Sequence, residues 1–151
     1  HAEERAPGAG ARHDRRPPAV NAERSVGLVD TSILVGFEGD RGIDVDLLPD
    51  ELLVSAVTVG ELELGVLAAS DVEVRARRLA TLRFASSLDP IPVDGAVASS
   101  WALLCVRLRE EGRRMPANDS WIAATALAHD VPLITRDEDF LGTPGLTVVR
   151  L

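Results

Sequence analysis

The sequence predicts an α/β domain built on a parallel sheet with helices on both faces, and three observations predict it. Short aliphatic runs such as "VGLVD", "ELLVSAV" and "VPLIT" read as strands of the buried type, each bounded by turn or cap residues. Longer segments with helical spacing lie between them, giving the strand–helix alternation of parallel sheets. The 151 residues, 46% of them hydrophobic, suffice for one domain with a sizeable core.

The elements are expected in the following order. "VGLVD" (26–30) is a strand, and "TSILVGF" opens a helix capped near Thr31 or Ser32. "ELLVSAV" (51–57) is a second strand. "TVGELELGVLAA" (58–69) is a helix apolar on nearly every side, which predicts that it is largely enclosed. "SDVEVRARRLATLRFASSL" (70–88) is amphipathic, with Val74, Leu79, Leu82 and Ala85 on one stripe. "PIPV" (90–93) is a short strand between prolines, and "DGAVASSWALLCVRLREEG" (94–112) is a long helix ending at glycine. "NDSWIAATALAHD" (118–130) is a helix with Asn118 as its cap, "VPLIT" (131–135) a strand, and "LTVVRL" (146–151) the last one. Residues 1–24 are rich in Arg, Pro, Gly and Ala without apolar period and read as a disordered extension or leader. The folded domain is expected over 25–151.

Composition narrows the chemistry. All 16 basic residues are arginine, so a P-loop lysine and Schiff-base chemistry are excluded. Of three histidines only His129 lies beyond the first 24 residues, which argues against a nuclease using two imidazoles. A single cysteine, Cys105 in "WALLCVRL", reads as a small core hydrophobe; it allows neither an internal disulfide nor a thiolate zinc cage. With no membrane span or secretory segment apparent, a soluble cytoplasmic protein is the expectation. The net charge is −8, and residues 25–151 alone carry eleven basic against twenty acidic side chains. Nucleic-acid binding would therefore need locally concentrated arginines or metal ions that mask acid.

In open parallel sheets ligands sit outside the carboxyl ends of the strands, and acids lie there. Asp30 ends the first strand, and Asp137 follows "LIT" by two residues. Each alone is read as a cap or turn carboxylate. Glu61 has Val57, Thr58, Leu64 and Gly65 as helical neighbours, and a carboxylate on so apolar a ridge needs a partner. Glu63 has a similar setting about 200° around the helix, and periodicity does not choose between them. Asp119 begins a ridge through Ile122, Ala123 and Ala126 that should pack on the sheet; the simpler reading is interaction with the helix dipole. Clustered carboxylates repel and need a counter-charge. In a chain without lysine a hard divalent cation is the natural one, and oxygen-only ligands favour Mg²⁺ or Mn²⁺ over zinc. Such a site suits phosphodiester hydrolysis by activated water.

The motifs "LVDTS", "VTVGELELG", "PANDSWIAATA" and "LITRDEDF", in this order and spacing, resemble those of the PIN-domain ribonucleases, specifically the VapC toxins of bacterial toxin–antitoxin pairs. The resemblance runs from about residue 26 to 151. It implies a three-layer PIN-like fold with a central, roughly five-stranded parallel sheet and a Mg²⁺-dependent endoribonuclease site. By position it matches Asp30, Glu61, Asp119 and Asp137 to the family's four acids. It favours Glu61 over Glu63 because Glu61-Leu62-Glu63-Leu64-Gly65 fits the family's Glu-Leu-x-x-Gly. Asp139 falls where the family often has another acid, and Thr31, Ser32, Asn118 and Thr135 are expected as supporting hydrogen-bonders. Asp30, Asp119 and Asp137 are expected to hold the metal and Glu61 the attacking water, with products ending in 5′-phosphate and 3′-hydroxyl groups. The extension before "GLVD" departs from the family, whose members begin only a few residues before that strand.

The resemblance further implies a VapB antitoxin that covers the acidic pocket, with apolar faces along 58–69 and 70–88 as docking surface, a homodimer, and DNA contact only through the antitoxin. RNA binding would rest on two arginine clusters, Arg75, Arg77 and Arg78 with Arg83, and Arg107, Arg109, Arg113 and Arg114. Each also reads as a solvated helix face paired with Glu73, Glu110 and Glu111. Trp101 and Trp121 read as core or interface residues. The competing reading is a non-catalytic binding module on the same fold. A haloacid-dehalogenase-type phosphatase is set aside, because Ser32 stands where its second aspartate belongs and its lysine is missing.

Overall fold

The structure is a computed structural model that describes residues 24–39 and 42–151. The extension expected over 1–24 lies outside the described residues apart from Arg24. The strands are β1 (Val26–Val29), β2 (Glu51–Leu53), β3 (Leu133–Thr135) and β4 (Val148–Arg150). The helices are α1 (Thr31–Gly36), α2 (Ala56–Ala68), α3 (Val72–Ser86), α4 (Gly95–Glu110) and α5 (Ala117–Ala128). All strand pairs are parallel and the order is β2-β1-β3-β4.

Both sheet faces are covered. Leu28 and Leu133 point into a core shared with Leu104 and Leu108 of α4, Ile122 and Ala126 of α5, and Phe140. Their successors Val29 and Ile134 point the other way, onto Ile33 and Leu34 of α1, Leu62 of α2 and Ala85 of α3. Side chains alternate across a strand, so a parallel pair buried on both faces feeds two cores at once. The α4–α5 pair closes one face and the α1–α2–α3 group the other.

Among the described residues the sheet has four strands rather than five. "PIPV" contributes one parallel bridge, Ile91 to Ser55, in which Ile91 N–H donates to Val54 O and Ala56 N–H to Ile91 O. Pro90 and Pro92 have no N–H to donate, so the ladder cannot extend. The second strand is shorter than "ELLVSAV" suggested, because the Ser55 hydroxyl accepts from Val57 N–H and caps α2 two residues early. Nor is α2 enclosed: Thr58 and Leu62 are buried, but Leu64 is 66% and Leu67 73% exposed. The α3 stripe holds, with Ala85 buried and Val74, Leu79 and Leu82 half-buried.

Asn118 is not the cap of α5. The helix begins at Ala117 after Pro116, with no side-chain cap bond, and Asn118 is exposed in its first turn. Extended geometry at Pro116 supplies the helix start, which composition disguised by offering a good capping residue two positions later. Among the described residues no helix is long and apolar enough to cross a membrane.

Candidate active site

β1 sits inside the sheet, with β2 on one side and β3 on the other. The chain leaving β1 goes next to β2, while that leaving β3 goes to β4 on the far side. The carboxyl ends of β1 and β3 therefore frame the crevice in which doubly wound sheets bind ligands. Asp30 follows β1 and Asp137 follows β3, so strand register alone brings two of the predicted acids together.

Asp30 is 4% exposed. Its Oδ1 accepts from Ser32 Oγ at 2.6 Å and from Ile33 N–H at 3.2 Å, which caps α1. Its Oδ2 accepts from Thr135 Oγ1 at 2.6 Å. The cap and the site are thus the same carboxylate. Burial pushes its pKa above the ordinary value of 3.8, partly offset by the Ser32, Thr135 and Ile33 hydrogen bonds, and the charge of Asp137 pushes in the same direction as burial.

The two hydroxyls that hold Asp30 also hold the chain beyond β3. Ser32 Oγ accepts from Arg136 N–H at 3.0 Å, and Thr135 Oγ1 accepts from Asp137 N–H at 2.9 Å. Asp137 Oδ1 then accepts from Asp139 N–H at 2.9 Å and caps a 3-10 turn over Glu138–Phe140, whose Phe140 is buried. The crowded acids of "RDEDF" are therefore aimed by hydroxyls: Asp137 is half-buried, while Glu138 and Asp139 are exposed. Glu138 turns away to pair with Arg150 at 2.8 Å.

Asp119 enters from α5, whose Ile122, Ala123 and Ala126 are buried against the sheet as its ridge predicts. One carboxylate oxygen each from Asp119, Asp137 and Asp139 lies within 4.8 Å of the others. Burial raises the Asp119 pKa to about 6, and the charges of Asp137, Glu61, Asp30 and Asp139 reinforce it, in that order. Glu61 reaches the same region from α2 and accepts from Thr31 Oγ1 at 2.9 Å, while Glu63 is exposed on another side of the helix. Tertiary position decides what periodicity left open.

Of the predicted supporting residues, Thr31, Ser32 and Thr135 hold the acids, Asp139 stands in the carboxylate trio itself, and Asn118 makes no contact of this kind. A residue that sequence reasoning passed over is Thr58, fully buried with its Oγ1 3.4 Å from Thr31 Oγ1. Its signal was available: it lies three residues before Glu61, on the same helix face.

The donor set fits a hard cation. Every candidate ligand is a carboxylate oxygen, the choice of Mg²⁺ and Mn²⁺. Two oxygens on opposite sides of Mg²⁺ stand about 4.2 Å apart, so a trio spread over 4.8 Å needs only small rotations to hold one. Asp30, with both oxygens already engaged, adds negative charge at the base of the cluster.

The arginine clusters divide. Arg75 donates to Ala69 O and Arg78 to Gly65 O, tying α3 to the end of α2. Arg107 packs by Gly145, whereas Arg113 donates to Gly142 O and Leu141 O and pairs with Glu111 at 3.6 Å. Among the described residues Glu73 and Glu110 form no ion pair with either cluster. Trp101 and Trp121 stack at 4.4 Å with planes 5° apart, joining α4 to α5.

The chain is similar to known proteins in sequence and fold. Residues 27–146 match the PIN domain. Ribonuclease VapC4 of Mycobacterium tuberculosis is 46% identical over 133 residues, spanning 87% of this chain and 100% of that protein. Ribonuclease VapC5 of the same organism is 42% identical over 127 residues, spanning 84% and 94%. The crystal structure of VapBC-5, a member of the VapBC family of toxin–antitoxin systems from M. tuberculosis, superimposes with a TM-score of 0.76 at 39% identity, covering 84% of this chain and 99% of that one.

Proposed function

The chain belongs to the PIN-domain family and, within it, to the VapC ribonucleases, and from that premise we propose that it is a magnesium-dependent endoribonuclease, the toxin of a toxin–antitoxin pair. The observation that carries this reading is the convergence of Asp119, Asp137 and Asp139 beside Asp30 and Glu61 at the switch point of the sheet.

Asp119 and Asp137 would hold the ion, with Asp139 in the same carboxylate trio and Asp30 adding charge beside it. Bound there, Mg²⁺ supplies Lewis-acid stabilisation of phosphoryl charge and acidifies water. Glu61, fixed by Thr31, takes the proton from the attacking water. Ser32 and Thr135 keep Asp30 and the 136–139 segment in register while charge builds. In-line attack by water leaves a 5′-phosphate and a 3′-hydroxyl. No side chain becomes covalently attached to the RNA.

The partner follows from the exposed apolar residues. Leu64, Leu67, Val72 and Phe84 are exposed on α2 and α3, an apolar surface suited to a VapB-type antitoxin segment. DNA contact belongs to that antitoxin, and the toxin is a homodimer. The test is Asp30→Asn, which should lower EDTA-sensitive RNA cleavage by about 100- to 1,000-fold, the range for losing one preorganised charge-stabilising group. Circular dichroism and thermal midpoint should show a folded protein. Normal cleavage by that variant would overturn the reading.

A further inference from the structure

A second feature lies one helical turn from the carboxylates. Gly112 ends α4 at φ +67°, and Arg113 N–H donates to Leu108 O at 2.8 Å, so the chain doubles back toward Pro116 and α5. Between the end of α4 and the start of α5 this leaves a cleft of about 550 Å³, lined by Trp101, Arg109, Arg113, Arg114, Met115 and Ser120, among others. Three arginines line it and no acidic residue does, in a chain whose net charge is −8.

The three arginines differ. Arg113 is committed to Leu141 O, Gly142 O and Glu111. Arg109 and Arg114 are exposed and make no side-chain hydrogen bond or ion pair with the described residues. One wall of the cleft is fixed, because Trp101 donates from Nε1 to Ser120 Oγ at 3.0 Å and stacks on Trp121. Ala117 and Ser120 of α5 line this cleft, and Asp119 of the same helical turn faces the acid cluster. Ser120 in the cleft and Asp119 at the acids are successive residues of the first turn of α5, about 100° apart around it, so a strand held at the acids passes the cleft on the adjoining side of that turn.

We propose that this cleft binds the phosphate backbone of the RNA strand beside the scissile bond, through Arg109 and Arg114. The proposal rests on the ribonuclease reading and sharpens it. An acidic site repels RNA, and a carboxylate-free arginine cleft next to it supplies the attraction where the strand must pass. Planar guanidinium groups suit phosphate oxygens, and a preset indole wall costs little order on binding.

The experiment measures binding of a labelled single-stranded RNA to the full chain by anisotropy in EDTA, across a salt series. Each lost phosphate contact lowers the slope of log K against log salt by about 0.7 on a single strand, so Arg109→Ala/Arg114→Ala should lower it by about 1.4. Arg24→Ala, exposed ahead of the amino end of β1 and away from the strand ends that carry the acids, should leave it unchanged. An unchanged slope in the first variant, or an equal fall in both, overturns the cleft while wild-type cleavage of RNA with Mg²⁺ leaves the ribonuclease reading standing. Loss of antitoxin binding with an unchanged RNA slope would make the cleft a protein dock and overturn it as well. Wild-type protein that neither binds nor cleaves RNA would remove both.

Discussion

Asp30 and Asp119 are carboxylates a short distance apart in the same crevice, and the protein treats them differently. Asp30 is buried with three donors on its two oxygens, two of them hydroxyls that also fix the next acid-bearing segment. Asp119 is half-buried, accepts no hydrogen bond from described residues, and faces Asp137, Glu61, Asp30 and Asp139. One corner is finished by folding. The other is left with like charges that a bound proton or a metal cation would relieve.

The largest separation of these roles should come from Glu61, which borders the open corner. Glu61→Gln should lower kcat by about 100-fold or more, the usual share of a general base. Glu63→Gln, changed on the exposed side of the same helix, should leave kcat alone. Equal losses in single-turnover cleavage would refute the assignment.

Next comes the anchored corner. Thr135→Val removes the hydroxyl that donates to Asp30 and accepts from Asp137 N–H, leaving the buried Asp30 Oδ2 and the half-buried Asp137 N–H without that partner. Urea unfolding should show a loss of about 1–3 kcal/mol. A neutral result would mean that the acids hold their positions without it.

The open corner should respond in the opposite direction. With its pKa at about 6 against an ordinary 3.8, the folded protein holds the Asp119 proton longer than the unfolded chain does. Metal-free stability should therefore fall as pH rises from about 4 through 6. Removing the charge by Asp119→Asn should stabilise the metal-free protein at pH 7 by about 1 kcal/mol after allowance for solvent screening, a rise of roughly 2–4 °C in Tm. It should also flatten that pH dependence, while added Mg²⁺ should stabilise the wild type and not the variant. Calorimetry at pH 4, 6 and 7 checks each of these. A destabilised variant would show Asp119 to be a structural carboxylate like Asp30.

The contrast extends to what could be read in advance. Asp30 and Asp137 were legible because strands announce their ends and ligands collect there. The α5 ridge was legible because Ile122, Ala123 and Ala126 keep helical spacing. The enclosure of α2 was misjudged: a helix apolar all round can be buried all round or can leave one side for a partner, and Leu64 and Leu67 take the second course. The helix start at Pro116 and the single rung at Ile91 depend on backbone geometry that residue types state ambiguously.

By itself the sequence determined the alternation of strands and helices, the absence of lysine chemistry and of a thiolate zinc cage, and four acids in positions that could converge. Those follow from residue type and spacing, which act locally. Periodicity left Glu61 and Glu63 open and the family motif favoured Glu61; only the tertiary structure decided that Asp139 joins Asp119 and Asp137, and that Arg109 and Arg114 stay uncommitted beside Arg113. Each of these depends on which side of an element meets its neighbours across more than a hundred residues of chain or around a single turn, and periodicity fixes the sides of a helix without saying which one the sheet will claim.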